Sequence, residues 1–226
     1  MVWGPNVGIT YPFTGEAGLP ARGTPNFRAM DTNNDSRIDV GDDPYLPYYP
    51  GDEHVDWVAL SLYWYPTGSD RNNQVYDEYF QSFIVGRGPA IDRVQPQAAL
   101  DGGLRDFYER FSRSRNKPLM IPETGSPYFP NLPLVPGNTE LSIKQAWWRQ
   151  IYDPATFARF PLLKLVTHFE EIKRDEGEDL RDWRVLAEPN TKAAFLNHLN
   201  TPAINRTLLY AQQLSFQCGG QVTVIG

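Results

Sequence analysis

Three short runs constrain this chain most: residues 55–63 (VDWVALSLY), 118–123 (PLMIPE) and 162–169 (LLKLVTHF). Each is nearly continuous in apolar character instead of alternating. A strand of that kind is buried on both faces, as in a parallel sheet covered by helices. Residues 1–3 supply a fourth, shorter candidate. Helical periodicity falls between and after the runs. Leu104, Phe107, Tyr108 and Phe111 mark one helix face. A second helix begins near Asn138 or Thr139, both good caps, carries Ile143, Trp147 and Ile151, and stops at Asp153-Pro154. A third follows Glu188-Pro189-Asn190, with Phe195 and Leu199 one turn apart. A long polar, proline-rich stretch fills most of the interval between the first two strands.

Strand, loop, helix and strand in repetition define the α/β class with parallel strands. Four such units are half of a (β/α)8 barrel, which takes about 250 residues when whole. The chain has 226 residues but four strand candidates, the first starting at once. The pattern therefore predicts the C-terminal half of a TIM-type barrel over residues 1–200, with further strands upstream. Residues 201–226 form a tail whose register the sequence does not assign.

Composition excludes some partners. With 21 basic and 27 acidic residues, no basic stripe exists to neutralise phosphates, which argues against nucleic acid. No stretch reaches transmembrane length, and the N-terminus has neither the basic start nor the apolar core of a signal peptide. Cys218 is alone, so no disulfide forms within the chain. Aromatic residues are abundant, which suits either a carbohydrate groove or a large core.

Two segments carry chemistry. Leu119, Met120 and Ile121 lead to Glu123, and Gly125 then allows a sharp exit. A carboxylate at the C-terminal end of a parallel strand stands where α/β barrels place catalytic groups. The other segment, residues 31–42, has oxygen-bearing side chains at Asp31, Asn33, Asp35, Asp39 and Asp42. That spacing suits a curled loop around Ca2+, with the Arg37 carbonyl as a further ligand. Ser36 stands where such loops usually turn on glycine, and Asp42 is shorter than the usual closing glutamate. The alternative is an acidic solvated turn.

Trp3-Gly4-Pro5-Asn6, Tyr48-Tyr49-Pro50-Gly51-Asp52, Val55-Asp56-Trp57-Val58 and Pro122-Glu123 follow one another in order. With these motifs the chain resembles the C-terminal half of glycoside hydrolase family 26, the β-mannanase-like group. The fungal members with a calcium-type loop before Tyr-Tyr-Pro-Gly-Asp are the nearest in pattern. The resemblance runs from Met1 to about Leu199. It implies a (β/α)8 barrel, an extracellular protein and retaining hydrolysis of a β-linked, mannan-like polysaccharide. It also implies that Glu123 is the nucleophile and that Tyr63 holds it by a hydrogen bond. In retaining chemistry a second carboxyl, about 5–5.5 Å away, protonates the leaving oxygen. The resemblance puts that acid on a strand upstream of Met1–Trp3. Without it, roughly 10²–10⁴ of rate is lost.

Further groove residues are expected at the strand ends. Trp3 and Asn6 follow the first strand, although Trp3 equally suits the core. Trp64 follows Tyr63 as a stacking candidate. His168, Phe169 and Glu170 occupy the last strand end, where the family usually offers tryptophan; Glu170 is also a stand-in acid. Asn205-Arg206-Thr207 is a glycosylation sequon. Two other readings compete: a non-catalytic carbohydrate-binding remnant, and a truncated product without function. An isolated half-barrel would also pair with another chain through its two free sheet edges.

Overall fold

The structure, a computed structural model, describes residues 1–8, 19–94, 105–174, 179–208, 214–216 and 222–224. Its centre is a parallel sheet of five strands: β1 (Val2–Trp3), β2 (Trp57–Ala59), β3 (Leu62–Tyr63), β4 (Leu119–Gly125) and β5 (Leu163–His168). Both β2 and β3 pair with β4, through Val58↔Leu119 and Leu62↔Thr124, so they are two stretches of one interrupted strand. The four apolar runs thus lie side by side in chain order, all parallel. This is an α/β architecture compatible with part of an α/β barrel.

Pairing of β4 with β5 shifts twice, between Leu119 and Met120 and again between Ile121 and Thr124, and Pro122 accounts for the second shift. It has no N–H to give the ladder. Strands β2 and β3 are interrupted across the same level at Leu60–Ser61. Glu123 therefore emerges where the regular ladder breaks.

One face of the sheet packs on helices. Val58, Leu119 and Ile121 join Phe83, Phe107, Phe111, Trp147, Trp148 and Phe195 in one buried cluster. The helices are α1 (Pro25–Met30), α2 (Tyr79–Val85), α3 (Pro89–Val94), α4 (Glu140–Ile151), α5 (Pro154–Arg159), α6 (Pro189–Leu199) and α7 (Pro202–Asn205). Thr139 caps α4 in a reciprocal box with Ser142, Asp153 caps α5, and Glu188 caps α6. The periodic run at 107–111 forms a π-helix, Tyr108–Arg113; Leu104 lies outside the described residues. On the other sheet face the register places Val2, Trp57, Met120 and Leu165. Val2 and Leu165 are 53% and 43% exposed. Among the described residues β1 and β5 each have one strand neighbour.

Two small hairpins complete the fold. β6 (Ile172–Lys173) and β7 (Arg181–Asp182) pair antiparallel beyond β5, and β8 (Leu214–Phe216) pairs with β9 (Val222–Val224) in the tail.

Thr124 joins the layers. Its hydroxyl accepts the Trp147 indole N–H at 3.0 Å and donates to the Leu62 carbonyl at 2.7 Å. Thr124 is fully buried. Thr124→Val keeps the shape but leaves the Trp147 indole N–H without its partner, at a cost of about 1–3 kcal/mol. Thermal unfolding of that variant should come roughly 2–12 °C lower, while Thr124→Ser stays near wild type. An unchanged midpoint for the valine variant would contradict this role.

Candidate active site

The site is built at the C-terminal ends of β3 and β4. The Tyr63 phenol donates to Oε2 of Glu123 at 3.0 Å, across 60 residues of sequence. Parallel pairing of Leu62 with Thr124 and Tyr63 with Gly125 brings the two side chains together. Burial raises the Tyr63 phenol above its ordinary pKa, and its bond to the Glu123 carboxylate adds to the effect. Tyr63 therefore stays a donor at all ordinary pH values. Glu123 itself is exposed.

An aromatic wall stands behind this pair. Trp183 is 5.0 Å from Tyr63 between ring centroids, and Phe169 is 6.0 Å from Tyr63, both edge to face. Trp183 also presses on Gly125, where a Cβ would meet its ring at 3.0 Å. Glycine thus leaves room for the tryptophan at this strand end. The Phe169 N–H donates to the Thr124 carbonyl at 2.9 Å, and the Trp183 N–H donates to the Glu171 carbonyl at the same distance.

The base of the β6–β7 hairpin is anchored to α4. The fully buried Lys144 ammonium donates to the Glu140 carboxylate at 2.6 Å and to the Arg184 carbonyl at 2.5 Å, with Asp182 3.7 Å away. A buried cation needs such partners, and the arrangement fixes the chain on either side of Trp183. Nearer the hairpin's far end, Arg71 pairs with Asp179 at 2.8 Å.

The other sequence-predicted residues are placed differently. Trp64 is 2% exposed and packs edge to face on Tyr76 and Tyr79, so in this conformation it offers no surface to a sugar. Trp3 packs on Tyr49, Phe107 and Phe111 in the core. Asn6 is exposed and bridges Ser61 at the β1 end of the same sheet rim. Glu170 accepts the N–H groups of Val185 and Leu186 at 2.8 and 3.2 Å. Both its oxygens thereby hold a loop, which suits neither a sugar ligand nor a proton donor. His168 stacks on Tyr152 and meets Phe195 edge on. The residue keeps partial exposure, but its two ring nitrogens are closed off and have no hydrogen-bond partner among the described residues.

Trp183 and Tyr65 enter the site without having been picked out from the sequence. For Tyr65 a signal exists: residues i and i+2 of an extended strand share a side, so Tyr65, not Trp64, follows Tyr63.

The 31–42 loop curls through left-handed residues at Asn34 (φ 60°) and Ser36 (φ 68°). Asp31 accepts the Asp35 and Ser36 N–H groups, one on each oxygen, at 3.0 Å. The Asp35 carboxylate accepts the Arg37 N–H at 2.8 Å, and that of Asp39 accepts the Gly41 N–H at 2.9 Å. Asp42, fully buried, accepts from Thr32, Asn33 and Asp39. Each oxygen of Asp31 keeps a second lone pair, so the donor set still suits a hard cation. Among the described residues, no group of three or more His, Cys, Asp or Glu side chains converges as a metal site. A recess of about 360 Å³ lies against this loop, lined by Leu19, Arg22, Phe27, Arg37 and Asp39 and by none of the residues around Glu123.

No protein-family model matches the chain, and no curated protein matches it.

Burial pushes the His168 imidazole down from 6.5 to about 4. The unfolded chain therefore binds a proton that the folded chain refuses between those values. Stability contributed by neutral His168 is present above about 6.5 and is lost as pH falls toward about 4. The loss amounts to about 3 kcal/mol at most. The melting temperature should fall across this window, and His168→Phe should flatten the fall. An equal pH dependence in both proteins would contradict the assignment.

Proposed function

We propose that the chain carries the nucleophile half of a retaining glycoside hydrolase acting on a β-linked, mannan-like polysaccharide, as its resemblance to family 26 implies. The observation that supports this best is the Tyr63–Glu123 hydrogen bond at the C-terminal ends of parallel strands. The finer reading of the sheet is then a half-barrel of the (β/α)8 type, with its active face at those ends.

Glu123 attacks the anomeric carbon through Oε1 while Tyr63 holds Oε2. The bond to the leaving oxygen breaks, a glycosyl ester forms, and water then releases the sugar with Glu123 regenerated. The tyrosine fixes the carboxylate's rotamer, and the Phe169–Trp183 wall backs the tyrosine. The leaving oxygen needs a proton from a second carboxyl. Glu170 is committed to Val185 and Leu186, and this specific observation favours a second reading, a carbohydrate-binding remnant that retains sugar without cleaving it.

A dinitrophenyl β-mannoside separates the two, because its leaving group departs without a proton. The hydrolase reading predicts turnover that Glu123→Gln slows by roughly 10³-fold or more. Retention of insoluble mannan with no turnover of the aryl glycoside would favour the remnant.

We also propose that residues 31–42 hold a structural Ca2+, with Asp31, Asn33, Asp35, the Arg37 carbonyl, Asp39 and Asp42 as its ligands. The left-handed turns at Asn34 and Ser36 support this. The ion takes no part in the reaction; it ties down the loop ahead of Tyr48–Asp52. Calcium at a hundred times its dissociation constant should add about 2.7 kcal/mol, or roughly 5–10 °C of melting temperature. The gain should vanish in Asp31→Ala. No response to calcium or to chelator would remove the proposal.

A further inference from the structure

We propose that Tyr65 is a sugar-stacking subsite beside the nucleophile, taking the apolar face of a pyranose in a β-linked chain. The subsite rests on the glycoside-hydrolase reading of Glu123.

Four observations place it. Alternation along the extended strand end sends Tyr63 and Tyr65 to one side, while Trp64 and Pro66 are buried on the other. Tyr65 is 47% exposed, although Trp183 beside it is buried. Its ring leans on Trp183 at 5.8 Å and 38°, and Trp183 in turn contacts Tyr63. The Arg181 guanidinium lies over the Tyr65 ring at 4.6 Å from its centroid, and Arg181 is 6% exposed.

Arg181 and Trp183 are held by the same hairpin base that Lys144 anchors. Together they hold the Tyr65 ring, which stays 47% exposed. An aromatic ring held in place this way loses little freedom on binding, which is the condition for a useful platform. A pyranose suits it because its axial C–H groups form an apolar face, while its hydroxyls remain free for water and polar side chains. Trp183 contacts both Tyr63 and Tyr65, so a sugar on Tyr65 would sit near the one at the reacting carbon.

The position also separates binding from chemistry. Tyr63 hydrogen-bonds to Glu123 directly; Tyr65 is linked to Tyr63 through Trp183. Loss of the Tyr65 ring should therefore weaken the hold on an oligosaccharide more than it slows the reaction.

The test uses the full chain and a soluble β-mannan oligosaccharide. Its dissociation constant is measured by calorimetry in the Glu123→Gln background, and KM and kcat are measured in the active background for its dinitrophenyl glycoside, whose leaving group needs no proton. Tyr65→Ala should raise both the dissociation constant and KM by roughly five- to twentyfold, an aromatic contact's worth, with the loss falling on KM more than on kcat. Tyr65→Phe should restore both to within about twofold, because the stack needs the ring and not the hydroxyl. Wild-type binding and KM in Tyr65→Ala, on a chain that turns over mannoside, would overturn the subsite alone. Absence of both binding and turnover in the parent chain would overturn the hydrolase reading and the subsite with it.

Discussion

The arrangement depends on the hydrogen bonds of one hydroxyl. Thr124 receives the Trp147 indole and donates to the Leu62 carbonyl, so helix α4, strand β4 and strand β3 are locked at one level. The Phe169 N–H reaches the Thr124 carbonyl from the next strand. Glu123 and Gly125 flank this residue. The carboxylate, the tyrosine that holds it and the wall behind it are therefore positioned by one residue's hydrogen bonds, next to a proline that breaks the ladder. A regular strand would run its carboxylate into the pleat; the Pro122 irregularity releases it at the rim.

The electrostatics around Glu123 are economical. One neutral donor, Tyr63, meets one carboxylate oxygen, and burial keeps that donor protonated. Among the described residues, cations around the aromatic wall are engaged there: Lys144 with Glu140 and Asp182, Arg184 with Asp182, Arg181 against Tyr65 and Lys173 over Phe169. The nucleophilic role proposed for Glu123 suits this kind of surrounding. A direct ion pair would hold its charge too tightly, and no donor at all would leave its rotamer free.

Much of the fold was legible in the sequence. The four runs are strands because apolar, β-rich segments bury well on two faces, and α4 and α6 start where their caps predict, whereas α5 opens at the Asp153-Pro154 pair that the sequence reads only as the end of α4. The interruption at Leu60–Ser61 was not legible, since it answers a proline about 60 residues away in another strand. α2 was missed although Tyr79, Phe80, Phe83 and Ile84 form a helical stripe. The site was half legible. Glu123 stood out by its strand, and Tyr63 came from the resemblance to family 26. Parity along the strand would have chosen Tyr65 over Trp64. Trp183 carries no local signal at all: a hairpin brings it back over the site, and its pairing depends on Lys144 and Tyr128 in distant elements. His168 and Glu170 looked available because strand ends usually are, yet aromatic rings close one and two backbone N–H groups claim the other.

The central claim is that Glu123 forms the bond to sugar. The most direct measurement is mass spectrometry of the intact chain and its peptides after incubation with a deoxyfluoro-mannosyl fluoride, a substrate that forms the glycosyl ester readily and releases it slowly. The account predicts one added fluorosugar, located on the peptide that contains Glu123, and none on Glu123→Gln. A chain that takes up no label, or one still labelled after that substitution, would contradict it.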